Sequence, residues 1–495
     1  MYLIKFYMKI ILFNNNIFII KKEDYKFMET IHILHTNDIH SHLNNWVYIE
    51  KFLISKKKYY QKNGEDVFIF DDGDLLDLYH PLSEATLGKF NVALMNNVGY
   101  DAATIGNDEG IGLNHEDLMH LYENANFPII LDNLYDQKTK KIPNFVKPYK
   151  IFKTTLNTRI CVIGMTAPYP MSYLPNGWII KNIDQTLPSV LKEIKNKYDI
   201  LIMLSHLGID SDKYIAKHYS NIKVIIGGHT HHLLKDGEFI NKTLLTAAGK
   251  YGNYVGDITI DISENHTIFQ MTSTTYSIEQ IKEYCNQNSS LRMIDFKKKS
   301  DDFKLKGEEI LSKIKIAKLP FELNNDNNGK HSMLELALKS LQYYGQTDAS
   351  ILNSGLFLTP LHKGIVTQKD LHMQMPHSLH IINVKLRGLD LWRLVMEIEK
   401  NRIFLRRYIL SGMGFRGKYF GDVVYNGISV NMSKKIVYWH NSPIDISETY
   451  EITTLDMFAF LPYFPTIMIM GKVKVISSDF LRNVIGKYLA LKYPL

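Results

Sequence analysis

At 495 residues the chain is too long for one compact core, so two domains are expected. Hydrophobic residues make up 45% and charged residues 22%, the balance of an ordinary globular protein and not of a disordered or membrane-embedded one. The net charge of +7 is spread without a basic block and gives no ground for nucleic-acid binding; the two distant cysteines, Cys161 and Cys285, exclude a disulfide framework and favour a reducing compartment.

The chain opens on "MYLIKFYMKIILFNNNIFII", a lysine-bearing apolar run broken by three asparagines and lacking a small-residue cleavage site. Residues 1–27 read as an upstream extension with the working protein starting at Met28; a signal or anchor is the alternative. No other stretch approaches the roughly 18 apolar residues of a membrane span, so a cytoplasmic protein without a membrane partner is expected.

From Thr30 to about Asp261, short apolar runs alternate with longer amphipathic stretches. The runs are "IHIL" (31–34), "VFIF" (67–70), "AATI" (102–105), "ICVIG" (160–164), "ILIML" (200–204) and "KVIIG" (223–227). Such short continuous runs suggest strands buried on both faces, and stretches such as "LPSVLKEIKNKYD" carry helical spacing, which together give an α/β layered domain. Residues 276–325 are charged and read as a helical linker ending in the Asn-rich "ELNNDNNGKH". Beyond it, "SMLELALKSLQYYG" reads as a helix and "HIINVKL" and "YEITTLDMF" as strands, a second and mixed α/β domain over 326–495.

The chemistry lies at the ends of the strands. "HTNDIH", "DDGD", "GNDE", "SHLG" and "GHTHH" close five of the six runs, and open α/β sheets place their sites at the carboxyl ends of strands. Asp38 and His40 form an alternating pair that an extended backbone would point to one side, as do His229 and His231. Asp74 follows a glycine turn and can bridge two cations, Asn107 offers a carbonyl oxygen, and His206 a nitrogen. Oxygen and imidazole without thiolate suit Mn²⁺, Zn²⁺, Fe²⁺ or Co²⁺. Two such ions roughly 3.5–4 Å apart can clamp a phosphoryl group and generate hydroxide for in-line attack. Singly each signal is weak; a lone histidine is more often a core or surface residue, and the weight lies in the ordered set.

"ILHTNDIHSH", "DDGD", "GND", "LSHLG" and "GGHTHH" resemble the successive motifs of the calcineurin-like metallophosphoesterases, and more narrowly of the two-domain 5′-nucleotidase family in its bacterial intracellular branch. The resemblance runs from about residue 30 to the C-terminus. It implies a four-layered sandwich domain over 28–275, the linker, and a smaller C-terminal substrate-binding domain. It also implies two metal ions, one held by Asp38, His40, Asp74 and His231, the other by Asp74, Asn107, His206 and His229.

Two departures stand out against that resemblance. The family usually has a histidine after the metal-binding asparagine, supported by a nearby aspartate, that protonates the leaving group or stabilises the transition state. This chain has Asp108 there and Ile111 at the supporting position. A carboxylate beside two cations is held ionised and donates no proton, and loss of a general acid typically forfeits about 10²–10⁴-fold in rate. Asp108 is either catalytic in another way or bonded to its own turn, while His42 and His232 stand as substitute acids or as solvent-facing neighbours of the ligands. In the second domain "NSGLFL" keeps Asn353 and Gly355 of the family's N-x-G but has Leu358 where an arginine is expected. "FLPYFP" keeps the aromatic Phe464 without the glycines and aspartate, and "GMGFRG" offers Phe415 to stack on a base and Arg416 as replacement cation; the alternative is that Phe415 and Phe464 are core residues.

The reading is a dinuclear metal-dependent phosphoester hydrolase acting on small nucleotides, with Asp108, Asn107 and His206 nearest the reaction and Asn353, Gly355, Phe415, Arg416 and Phe464 on the substrate. A phosphodiesterase or nucleotide pyrophosphatase is the alternative within the enzyme class. A nucleotide-binding protein with attenuated turnover is the alternative outside it.

Overall fold

The computed structural model describes residues 9–13, 16–20, 29–263, 266–325, 331–410, 412 and 414–495. The expected boundary at Met28 lies outside the described residues; before it, Lys9–Phe13 pairs antiparallel with Asn16–Ile20. Among the described residues, no helix is long and apolar enough to cross a membrane.

Two sheets face each other in the N-terminal part. The first has seven strands, in the order Ile268–Ser277, Tyr254–Ile262, β1 (Glu29–Thr36), β2 (Asp66–Asp71), β3 (Ala102–Ala103), Ile129–Ile130 and Val146–Lys147. The second has six, in the order Leu233–Ile240, Thr243–Ala248, β5 (Val224–Gly227), β4 (Ile200–His206), Arg159–Thr166 and Tyr149–Lys153. Strands β1, β2 and β3 run parallel to one another, as do β4 and β5, so their carboxyl ends gather on one side.

Side-chain alternation divides each apolar run between two cores. Phe68 and Phe70 of β2 and Ile200, Ile202 and Leu204 of β4 fill the space between the sheets. Val67 and Ile69 point instead to the outer helical layer under Leu43–Lys62, and Leu201 and Met203 to the layer holding Leu187 and Ile215. A strand covered on both faces has no polar side to show, which is why these runs read as continuous. The layers are helix, sheet, sheet, helix, as expected.

The C-terminal part is a five-stranded mixed sheet, Val423–Asn426, Ala349–Asn353, Thr449–Leu455, His380–Arg387 and Lys472–Phe480, on a single core with its helices. The linker departs in one place from its expected helicity. It contains helices Ile278–Gln287 and Phe296–Ser312, but Lys315–Leu319 is a strand paired with Gly364–Thr367. With the preceding "SKI" it reads K-I-K-I and then, after a one-residue slip at Ala317 where the register also shifts, K-L, a pattern that suits an edge strand better than a helix.

The two parts are locked by a buried polar cluster. Glu84, in helix α1 (Pro81–Ala85), meets Arg482 and Gln368 at 3.1 and 2.7 Å, and His372 beside them. Arg482 is only 1% exposed and also donates to the carbonyl of His377 at 2.9 Å. Burial alone would raise the Glu84 carboxyl, but Arg482 and then His372 hold it down to about 2.

Candidate metal centre

The loop after β1 and the loop after β2 zip together where the strands stop. Asp38 N–H donates to the Gly73 carbonyl at 3.0 Å, His40 N–H to Asp74 at 2.8 Å and Ser41 N–H to Leu75 at 2.9 Å. Asp38, His40, Asp74, His229 and His231 all sit in the left-handed region, with φ of 50, 46, 51, 68 and 58°. Non-glycine residues seldom accept that conformation, and where it is held the surroundings enforce it. This corrects the sequence expectation: the two pairs reach one side by left-handed kinks, not by alternation along extended backbone. His206 alone is the last residue of its strand, β4.

The third loop is held by its own acid. Glu109, in helix α2 (Asn107–Gly112), accepts from the backbone N–H of Gly106, Asp74 and Leu76 at 2.8, 3.0 and 2.9 Å. Gly106 has to lack a side chain, since a Cβ there would lie 1.9 Å from Asp74 Oδ1. At Gly228 a Cβ would press on Asp38, Asp72 and His206 together.

All seven residues read as ligands converge. Asp38 Oδ1 lies 3.4 Å from His231 Nε2, 3.7 Å from His40 Nε2 and 3.9 Å from His206 Nε2. Asp74 Oδ2 lies 3.1 Å from His206 Nε2 and 3.9 Å from His40 Nε2, and Asn107 Oδ1 lies 2.7 Å from His229 Nδ1. Three sets could each surround an ion: Asp38, His40 and His231; Asp38, Asp74 and His206; and His40, Asp74 and Asp108.

A cation fits these atoms. His206 Nδ1 donates to the Asp72 carbonyl at 2.6 Å, which leaves Nε2 as the nitrogen that faces the cluster, buried 3.1 Å from the Asp74 carboxylate. His40 Nε2 and His231 Nε2 face each other at 3.1 Å. One hydrogen bond joins them, and in place of its proton a single ion could take both nitrogens. Burial works against charge on His40 and His206, yet Asp108 and Asp74 above all raise both imidazoles well above their usual range, the sign of a site short of cations. Burial, and then the charge on His206, pushes His229 down to about 4, leaving a neutral imidazole to ligate.

Asp108 lies at the start of α2, with Oδ2 2.9 Å from His40 Nδ1 and Oδ1 accepting from Asn107 Nδ2 at 3.0 Å. Neither His42 nor His232 lines the cavity over the ligands. His42 points its Nδ1 at the carbonyls of Ile39 and His40 and stacks on Tyr251, and His232 turns to Thr230.

That cavity, about 500 Å³ between the two parts, corrects most of the expected substrate set. Arg416 lines it and is paired with Asp77. Phe464 does not, being 0% exposed and packed against Phe458 and Phe420. Phe415 is buried and stacked on His377, 5.0 Å between ring centres. Asn353 is buried and donates to the Phe420 carbonyl at 2.6 Å, and a Cβ on Gly355 would meet the Tyr419 carbonyl at 1.9 Å. Asn353 and Gly355 thus fasten the loop that bears Arg416 and do not reach the cavity themselves. The "FLPYFP" stretch folds Phe464 inward and turns Phe460, 43% exposed, to the cavity. Tyr169, Tyr251, Phe480, Asp77, His380 and Asp456 line it too and went unread in the sequence. Only Asp77 carried a signal, as the last acid of "DDGDLLD".

Residues 31–233 match the calcineurin-like phosphoesterase family and residues 312–460 the 5′-nucleotidase C-terminal domain. A Bacillus subtilis protein described as an uncharacterized metallophosphoesterase, YunD, is 34% identical over 477 residues, covering 93% of this chain and 99% of its own. A 5′-nucleotidase of Vibrio cholerae is 25% identical over 420 residues, 72% of this chain and 73% of its own. In fold, the chain is similar to the NAD nucleotidase of Haemophilus influenzae, with a TM-score of 0.63 and 17% identity over 94% of this chain and 97% of the other.

Proposed function

Because this chain belongs to the calcineurin-like phosphoesterases, in the two-domain form that carries a 5′-nucleotidase C-terminal domain, we propose a two-metal enzyme that hydrolyses small nucleotides and favours leaving groups that need no proton. The observation that carries the metal reading is the convergence of His206 Nε2, buried 3.1 Å from the Asp74 carboxylate, with six further side chains able to ligate. Asp38, His40, Asp74 and His231 would hold one ion, and Asp74, Asn107, His206 and His229 the other. Divalent ions there would polarise the phosphoryl oxygens and make water a nucleophile at neutral pH.

The chain's own groups do the rest. Arg416, on the cavity wall next to Asp77, supplies the cation missing at Leu358 and attracts the phosphate or its leaving oxygen. Phe460 and Phe480 offer faces for a base. No histidine follows Asn107, and Asp108 is spent as an acceptor, so an alkoxide leaving group finds no donor at the position where the family keeps one. Anhydrides and aryl esters leave without one. The two free cysteines, both buried, suit a reducing and cytoplasmic setting, which belongs to the same proposal.

The test is product formation by the Mn²⁺-loaded protein: phosphate from nucleoside monophosphates and diphosphates, nucleoside monophosphate from nucleotide-sugars, and p-nitrophenol from p-nitrophenyl phosphate esters. Anhydrides and aryl esters are expected to exceed alkyl monophosphates by about 10²–10⁴-fold in kcat. Equal rates on AMP and p-nitrophenyl phosphate would refute the leaving-group preference. Silence across the panel with metal bound would leave a nucleotide-binding protein.

A further inference from the structure

Asp108 occupies the position of an absent acid, yet both of its carboxylate oxygens are directed at metal ligands. We propose that it is a positioning residue that fixes one ligand of each ion, a role that rests on the two-metal reading above. Its Oδ2 lies 2.9 Å from His40 Nδ1, the ring nitrogen opposite the ligand cluster; the other nitrogen, Nε2, faces His231, Asp38 and Asp74 at 3.1, 3.7 and 3.9 Å. A carboxylate at Nδ1 fixes the proton there and keeps the lone pair on Nε2, where an ion needs it.

The second oxygen acts on the other ion's side. Asp108 Oδ1 accepts from Asn107 Nδ2 at 3.0 Å, and that bond determines which way the amide points. With its nitrogen held by Asp108, Asn107 presents Oδ1 towards His229 Nδ1 at 2.7 Å, the oxygen turned to the ligand side. The reversed amide would offer N–H groups to a cation, which cannot be bound by donors. The backbone N–H of Asp108 adds a third tie, to Asp74 Oδ1 at 2.7 Å, and Glu109 anchors the turn from behind.

Only a carboxylate does both jobs. It has two acceptor oxygens, whereas a neutral imidazole has one acceptor nitrogen and an amide one acceptor oxygen. The histidine expected from the family at this position could therefore satisfy His40 or Asn107 but not the two together. As a direct ligand in the set with His40 and Asp74, Asp108 would have to divert one of its two oxygens from its present partner. In this chain the residue has moved from the leaving group's side of the chemistry to the metal's side.

The experiment measures Mn²⁺ binding by equilibrium dialysis with elemental analysis, for the full chain and for Asp108→Asn and Asp108→Leu, alongside melting of the metal-free proteins and kcat on p-nitrophenyl phosphate as Mn²⁺ is titrated. The expected result is two ions per wild-type chain and Mn²⁺ affinity weakened by about 10–100-fold in Asp108→Leu, the range typical of lost ligand support. Asp108→Asn, which keeps one acceptor, should fall between. Cooperative melting of each metal-free variant shows that it is folded, and kcat at saturating Mn²⁺ should fall by less than the affinity does. Unchanged affinity with kcat depressed at saturating Mn²⁺ would make Asp108 a group acting on substrate and overturn the proposal. Unchanged affinity and unchanged kcat would make it a solvated surface acid, also overturning it. A wild-type chain that binds no Mn²⁺ would sink the two-metal reading first and this one with it, which separates the two failures.

Discussion

Glu84→Gln tests whether the two parts are locked by charge. Arg482 is almost fully buried, with Nε 3.2 Å and Nη2 3.1 Å from the two oxygens of Glu84; its other hydrogen bonds go to backbone carbonyls and its guanidinium lies over the Phe480 ring. Removing one partner of a buried pair leaves the other charge uncompensated at a cost of about 3–5 kcal/mol. Gln keeps the shape and one acceptor, so the lower end applies, about 3 kcal/mol, which at about 2–4 °C per kcal/mol for a unit of this size is a fall of about 6–12 °C in Tm. The sign of the pH dependence comes from the Glu84 carboxyl, held down from 4.5 to about 2 by Arg482 and His372 against its burial. A depressed folded pKa means the stabilisation is complete above 4.5 and is lost as pH falls towards 2. Scanning calorimetry at about pH 6 and about pH 3 should therefore show the gap between wild type and variant closing at the lower pH. Glu84→Met with Arg482→Met should recover most of the loss, because a buried pair replaced by apolar groups of similar volume is often near neutral. A gap independent of pH, or a Tm within experimental error of wild type, would refute the reasoning.

Gly106→Ala puts a methyl 1.9 Å from Asp74 Oδ1, so the ligand must move; Mn²⁺ affinity should drop by about 10–100-fold or more in equilibrium dialysis, and normal binding would show that Asp74 is not needed where it stands. Phe464→Ala and Phe460→Ala should separate core from site. The first should destabilise by about 3–5 kcal/mol in a denaturant melt, since Phe464 is wholly buried. The second should leave stability within about 0.5 kcal/mol and raise KM for a nucleotide by about tenfold, as lost stacking implies; the opposite pattern would restore Phe464 to the substrate.

How much of the molecule was legible depends on what each signal rests on. The strands could be read because burial on both faces leaves no choice but apolar residues, as in "VFIF" and "ILIML". The candidate ligands could be read because oxygen and imidazole at five of six strand ends have few uses other than a cation. The linker strand Lys315–Leu319 was missed because its lysines look like a charged helix until the alternation is counted. Among the substrate residues, only Arg416 reached the cavity, since the others' neighbours in the sequence say nothing of which side of a loop faces the second part.

The sequence alone determined the layered α/β frame, the ordered set of metal-capable residues and the aspartate after Asn107, because each of these is a property of local pattern. Tertiary structure decided the rest. Left-handed kinks at Asp38, His40, Asp74, His229 and His231, imposed by loops zipped across strand ends, turn separate motifs into one centre. Packing against Phe420 and Phe458 takes Phe464 into the core and leaves Phe460 to the cavity. The meaning of Asp108 depends on atoms 68 residues away in the chain, at His40 Nδ1, and a hydrogen bond over that separation exists only once the sheet has brought the two loops together.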